Sequence, residues 1–522
     1  MAKGEKMPIS TGLFLITIFV VNTLVFSPEL LDYFLYSRFL TASVFTASYA
    51  AYIAFWHRSQ PMLVNLTDLI ILAFVCWNAI SISWSLNLGE AVFTAQRWLL
   101  FASVYFLLRI ILHDYGKLFV SSISTLSLIL SVVLMVIVAY HLIGIVKESG
   151  FSNKALYGLK VMFGHKSLTS AYLLMLMPLN LLQFHNQNFK QRCLLLALLG
   201  IQFTLILLLQ SRTVYVSAAA FVAIIIWYFI RIGWKSQRTW LVFIPFVLVA
   251  VGLLAIFLSN NPELRERLNP LHYASSQTAL ERRFVWMKTI PLMEDNLLKG
   301  VGTGNWKIHF PKHGVEGAYR LQDQDVIFTR AHNDYLETTV ELGLFGIVSF
   351  LALLLVPLGI LMRLQTGDKK WQAHLLAAGL TAYIISSVFD FPKERIESLI
   401  LLAIYLAMIV ALALEYGEGL TTIAFPKIKL LAFACTITMV VNIVNGVNRY
   451  KGERGTRTIL SERQAENWDQ VIRAVDDAYN KLYSLDPAAV PLHFYKGIAL
   501  YNQDKMPGAE QAFMTAYRDN PY

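Results

Sequence analysis

The chain has 522 residues, is 56% hydrophobic and carries only 15% charged residues. Soluble domains hold about 25% charged residues, so the composition excludes an ordinary soluble enzyme with a single anchor. The net charge of +10 falls, in such a chain, to cytoplasmic loops and lipid headgroups rather than to nucleic acid.

From the N-terminus, apolar runs of helical length recur, each near the roughly 20 residues that cross a bilayer core. Helices satisfy their own backbone in lipid, so the reading is an all-α, polytopic membrane helical bundle of about 13 spans. They centre near residues 19, 47, 73, 102, 131, 176, 201, 222, 249, 353, 382, 405 and 437. The first run, TGLFLITIFVVNTLVF, lacks a small-residue cleavage site and reads as the first span rather than a signal peptide. Cys76, Cys193 and Cys435 lie in or beside apolar runs with no metal-ligand spacing, and read as spectators.

Two polar regions interrupt the pattern: a large loop at 259–342, and the tail after the membrane domain of residues 1–448. Lys and Arg favour the connections that are cytoplasmic if the N-terminus is inside. The 259–342 loop then lies outside, and so does the tail.

Residues 449–522 read as tetratricopeptide-like helical repeats. Gly497, Ala509, Phe513 and Ala516 sit where such a unit places small residues and an aromatic, and Pro487 precedes Pro521 by that repeat's period. Such a module offers a surface for a protein partner.

Four stretches carry candidate chemistry. In GHKSLTSAYL, His165 and Lys166 enter the sixth span. In QSR, Arg212 nearly completes the link between spans seven and eight, and suits either a lipid-phosphate anchor or a bidentate grip on a substrate phosphate. In ERRFVWMKTIPLM, Arg282 precedes Trp286 by one helical turn, with Arg283 beside it. The following GVGTGNW lacks GK[ST] and an upstream strand, so its glycines supply unusual backbone angles rather than a nucleotide loop.

The fourth stretch, FTRAHNDYLETTVELGLFG, sets Arg330, His332 and Asp334 just before a span. HxD is a poor metal signature, and no metal is inferred. An imidazole among arginines resists protonation and stays ready to accept a proton. Glu337 and Glu341 suit the helix dipole.

The order SISWSLN, GHKSLTSAYL, QSR, RFVW with NLLKGVGTGNW, and AHNDYLETTVELGLFG resembles the O-antigen ligase / O-antigen polymerase superfamily of bacterial membrane glycosyltransferases. The resemblance implies a metal-independent enzyme without cofactor in the inner membrane, with a periplasmic site. It implies an undecaprenyl-pyrophosphate-linked glycan as donor. The acceptor is then a hydroxyl of lipid A–core, of a growing glycan, or of a protein. By motif, Arg212 and Arg282 match the family's pyrophosphate-binding arginines, with Arg283 the alternative to Arg282, and His332 matches the histidine that activates the acceptor. A transporter or flippase of lipid-linked glycans is the reading of another class, but no repetition between halves supports it.

Overall fold

The computed structural model describes residues 6–57, 61–150, 156, 159, 161–232, 277–314, 327–364, 370–417 and 423–522. The first expected spans fall on helices Ile9–Leu24, Leu35–Trp56, Leu66–Ser81 and Leu88–Ser149. Lys166–Asn180, Phe189–Leu208 and Arg212–Ile232 follow. Asp334–Arg363, Lys370–Phe389, Ile396–Glu415 and Ile428–Gln464 carry the last four. The span expected near residue 249 lies outside the described residues. Among the described residues the chain is an all-α integral membrane bundle; its one small sheet pairs Met62–Val64 with Ile423–Phe425, antiparallel.

Leu88–Ser149 serves two expected spans, near 102 and 131. Its backbone breaks at Tyr115, where φ is −128° and ψ 26°, so the chain turns back without a loop. Ile396–Glu415 is the central helix: 94% of its most apolar window is buried by protein, against 33% for Phe189–Leu208 at the periphery. Cys435 is buried, whereas Cys76 and Cys193 face outward from the bundle, and all three are free thiols.

The bundle has two chemically distinct ends. At one, Arg109 pairs with Asp68 at 3.2 Å, Trp371 Nε1 donates to Leu181 O at 2.9 Å, and His57 meets Asp114 at 2.6 Å. The other end holds residues 25–34, 82–87, 161–165, 296–314, 327–342 and 390–395, joined by Arg395–Asp32, Arg330–Glu394 and Lys307–Glu90 ion pairs.

The tail belongs to that second end. Ile428–Gln464 leaves the bundle as one 37-residue helix. Along it Arg449, fully buried, pairs with Glu90 at 2.5 Å and donates to Leu482 O at 2.7 Å. Asn87 Nδ2 donates to Ser484 Oγ and Asp519 O. Trp468–Ala478, Leu492–Asn502 and Met506–Asp519 form the tail. The last two close as a helix pair on Gly497, where a Cβ would meet the Phe513 ring at 2.5 Å.

Candidate functional site

The site is built on a broken helix. Asp334–Arg363 is helical except at Gly343, whose φ of 65° and ψ of −161° split it into a short segment and a membrane-length one. The break frees backbone groups that need partners near the apolar core. The 297–302 turn supplies them: Val301 N–H donates to Val340 O, Gly302 N–H to Glu341 O, and Leu344 N–H to Leu297 O, at 2.8–2.9 Å. Trp77 Nε1 donates to Leu342 O at 2.8 Å.

This explains the glycines of GVGTGNW. Gly300, Gly302 and Gly304 have φ of +74°, +97° and +70°. A Cβ on Gly300 would lie 2.3 Å from Glu341 O, and one on Gly302 2.0 Å from Ser85 Oγ. The SISWSLN segment is the other wall of that fit. Ser81 Oγ accepts from Thr303 N–H, and Asn87 N–H donates to Asn305 Oδ1 at 2.8 Å.

Just before the short helix, Asn333 caps it by accepting from the Tyr335 and Leu336 N–H groups. His332 precedes the cap in a left-handed conformation, φ 51°, which is uncommon for a residue with a Cβ. Its neighbours hold it there. Glu337 Oε2 accepts from Ala331 N–H at 2.8 Å, and Trp286 Nε1 donates to Ala331 O at 2.9 Å. Arg330 reaches Glu394 at 2.6 Å and Glu337 at 3.7 Å. The His332 ring stands edge-on to Phe391 at 5.1 Å, and its buried Nδ1 has no hydrogen-bond partner among the described residues.

Below the loop lies a buried ion network. Lys393 Nζ contacts Glu337 at 3.2 Å and Glu341 at 3.7 Å, and Arg97 meets Glu394 at 2.5 Å. Asp334 Oδ2 accepts from the Lys393 N–H at 3.1 Å, which sets Asp334 to holding the 390–395 loop. Glu337 and Glu341, read from sequence as dipole carboxylates, are buried partners of Lys393, and Glu337 also lies in the first turn of the helix. The surrounding arginines and lysine hold the Glu394 carboxyl well below its ordinary range against burial.

Four sequence candidates converge. Burial, then Arg282, His165 and Arg330, push the His332 imidazole down to about 3. Burial, then Lys166, Arg282 and Arg395, push His165 down to about 4. Arg282 and not Arg283 exerts these effects; Arg283 is exposed, and Arg282 half-buried. Lys166, 4% exposed, begins the helix that His165 caps. Arg212 is placed by its element rather than by a described contact with His332. It begins Arg212–Ile232 after Gln210 (φ 54°), and that helix ends with Tyr228 against Trp371 at the opposite end of the bundle. Arg212 therefore lies at the end that carries His332.

Two residues were missed by sequence reading. Asp390 is buried beside Arg282 and Arg395, and burial raises its carboxyl to about 6 against their pull. Arg395 acts on both His165 and Asp390. The signal is present as FDFPKER, a charged run between two spans.

Such an arrangement defines a class: a multi-span membrane protein with a cationic, histidine-bearing cluster at one end of its bundle. Residues 194–351, which include Arg212, Arg282 and His332, match the family model for O-antigen ligase. That match supports a place for this part of the chain in the O-antigen ligase superfamily of membrane glycosyltransferases. Comparison with curated proteins gives no match.

Proposed function

We propose that the protein transfers a glycan from undecaprenyl pyrophosphate to a hydroxyl acceptor, in the manner of an O-antigen ligase, on the periplasmic face of the inner membrane. The observation that carries this is that Trp286, one turn after Arg282, donates to Ala331 O beside His332, which sets Arg282 and His332 in one cluster at one end of the spans. The acceptor oxygen attacks the anomeric carbon while the carbon–oxygen bond to the pyrophosphate breaks. Undecaprenyl pyrophosphate leaves with the bonding pair, and His332 takes the hydroxyl proton. Arg282 and Arg212 stabilise the charge that builds on the leaving group.

An imidazole near 3 is a weak base. The donor's pyrophosphate opposes the field of Arg282 and Arg330 and raises its basicity. Donor binding therefore readies the base, and the acceptor proton is taken only when a donor is present.

A protein hydroxyl is the second reading of the acceptor. It is favoured by the tail, which is latched by Arg449 and Asn87 to the same end as His332. A polymerase acting on a growing glycan shares the same donor chemistry.

The test uses the purified full chain with a lipid-linked glycan and mass spectrometry of envelope lipids, polysaccharide and proteins as products. His332→Ala should bind donor and transfer nothing. Arg282→Ala and Arg212→Ala should weaken donor use, while Arg283→Ala should not. Full transfer by His332→Ala removes the base assignment. Glycan crossing sealed vesicles with no covalent product replaces the transferase with a transporter.

A further inference from the structure

Pro487, which marks the repeat period of the tail, lies in a loop that closes on itself. Asp486 Oδ1 accepts from the Ala488 and Val490 N–H groups at 2.8 and 2.9 Å, and its Oδ2 accepts from the Tyr495 hydroxyl at 2.7 Å. Asp486 N–H donates to Val490 O and Leu492 N–H to Ser484 O, both at 2.9 Å, and Ala489 holds φ at +64°. One side of this stiff loop grips another part of the chain. Leu485 and Ala489 bury Ile308 in an apolar cluster of its own. Asn520 Nδ2 donates to Ala489 O at 2.9 Å, and the Tyr522 ring lies 5.7 Å from that of His309. An ion chain runs beside the apolar fit. Arg449, which donates to Leu482 O, pairs with one oxygen of Glu90, and Lys307 Nζ meets the other at 2.7 Å.

The segment so gripped touches both halves of the site. Trp306 N–H donates to Glu341 Oε1, and the Trp306 indole donates to Thr289 Oγ1, each at 3.3 Å. Glu341 belongs to the short helix that follows His332, and Thr289 to the helix that carries Arg282. Just upstream, Val301 and Gly302 N–H groups hold Val340 O and Glu341 O. The stretch 334–342 is shorter than the roughly 12–15 residues below which an isolated helix is marginal. Its position is therefore set by what packs on it. We propose that the tail is a clamp on the site, with Leu485 as a positioning residue. Through Ile308 and the 301–310 segment it holds the short helix, and His332 before it, in register with Arg282. The inference rests on the transferase reading and concerns only what aligns its groups. The apolar contact sets the register, because a close-packed fit has little slack.

A contact that only stabilised the tail would also bury Leu485, and three substitutions separate the roles. Leu485→Ala empties the space beside Ile308. Val475→Ala empties space in the tail's Trp468–Ala478 helix, within a core cluster separate from that of Ile308. Leu485→Met refills the first space with a chain of similar volume. Each purified full chain is placed in phosphatidylcholine nanodiscs, and kcat per donor-binding site, donor Kd and amide exchange are measured well below the melting transition. Both Ala variants should melt lower. Only Leu485→Ala should lower kcat, by about threefold or more, since misplacing reacting groups by about 1 Å costs up to about a hundredfold. Its donor Kd should hold, its Val301 and Gly302 amides should exchange faster, and Leu485→Met should restore the rate. Should Leu485→Ala fail to fold, the smaller deletion Leu485→Val is compared in its place. An unchanged kcat in Leu485→Ala, or an equal fall in Val475→Ala, overturns the clamp and leaves the transferase reading standing. Weaker donor binding at unchanged kcat also overturns it, because the segment would then serve the Arg282 helix alone. A wild type that binds donor and forms no covalent product removes the transferase reading, and with it the reaction the clamp serves.

Discussion

The Trp286 indole donates to the carbonyl of Ala331 at 2.9 Å, the residue immediately before His332. The helix Gln277–Asp295 thereby presents Arg282 and fastens the histidine loop with residues one turn apart. Trp286→Phe keeps the aromatic bulk and removes the donor. A neutral hydrogen bond is worth about 0.5–1.5 kcal/mol net, so single-turnover transfer should fall about two- to tenfold at unchanged donor affinity. A loss of donor affinity at unchanged rate would show that Trp286 serves Arg282 rather than the His332 loop.

Burial, with Arg282, His165 and Arg330, holds the His332 ring near 3. The pH dependence of kcat/KM reports the free enzyme, so it should not fall between about pH 7.5 and about pH 5. A decline centred near the ordinary imidazole value of about 6.5 would contradict this environment. Bound pyrophosphate raises the ring, so any acid limb in kcat should lie above that in kcat/KM. Stability follows the opposite-sign rule to an ion-paired histidine. The unfolded chain takes the proton first, so the ring's contribution is present above about 6.5 and is lost as pH falls toward 3.

Asp390 titrates in the reverse sense. Its carboxyl, raised to about 6, is ionised above that pH and offsets the charge of Arg282 and Arg395. Below it, the guanidinium groups act on the donor unopposed. Donor affinity should therefore rise modestly as pH falls through about 6, and Asp390→Asn should hold the tighter affinity at every pH. The measurement is donor Kd across pH for both proteins. A wild-type affinity that weakens below about 6 would place Asp390 outside the donor's field.

The spans were legible because lipid demands long uncharged runs, and helices lie at the expected centres throughout the described residues. His332, Arg330 and His165 were legible as polar residues at span entries, and Arg282 by its one-turn spacing from Trp286 in the large loop. The break at Gly343 was not, since hydropathy reads composition and Gly343 sits inside an apolar stretch, whereas the break at Tyr115 falls in the polar HDYGK link between the spans expected near 102 and 131. Asp390 and Arg395 escaped because their role depends on residues more than a hundred positions away. Arg283 and Arg282 are indistinguishable by motif; only the helix's orientation, which exposes one and turns the other toward His332, separates them.

The junction between GVGTGNW and SISWSLN gives a test of the scaffold beneath the site. At Gly302 the backbone has φ +97°, and an added Cβ would lie 2.8 Å from Ser85 Cα as well as against its hydroxyl. Ser85 cannot yield easily, since its Oγ donates to Ser81 O at 2.9 Å and Ser81 Oγ in turn accepts from Thr303 N–H. Gly302→Ala combines left-handed strain, about 1–3 kcal/mol, with overpacking of about the same size. It should lower the melting temperature and, by loosening the turn that pairs with Val340 and Glu341, lower transfer more than Gly314→Ala. Gly314 also has positive φ, +79°, but only the Lys288 Nζ lies near its Cβ position, at 3.7 Å. Both variants share the backbone strain, so their difference isolates the close packing against Ser85. Equal melting of the two proteins would show that Gly302 matters for its φ alone and that the two motifs do not depend on each other.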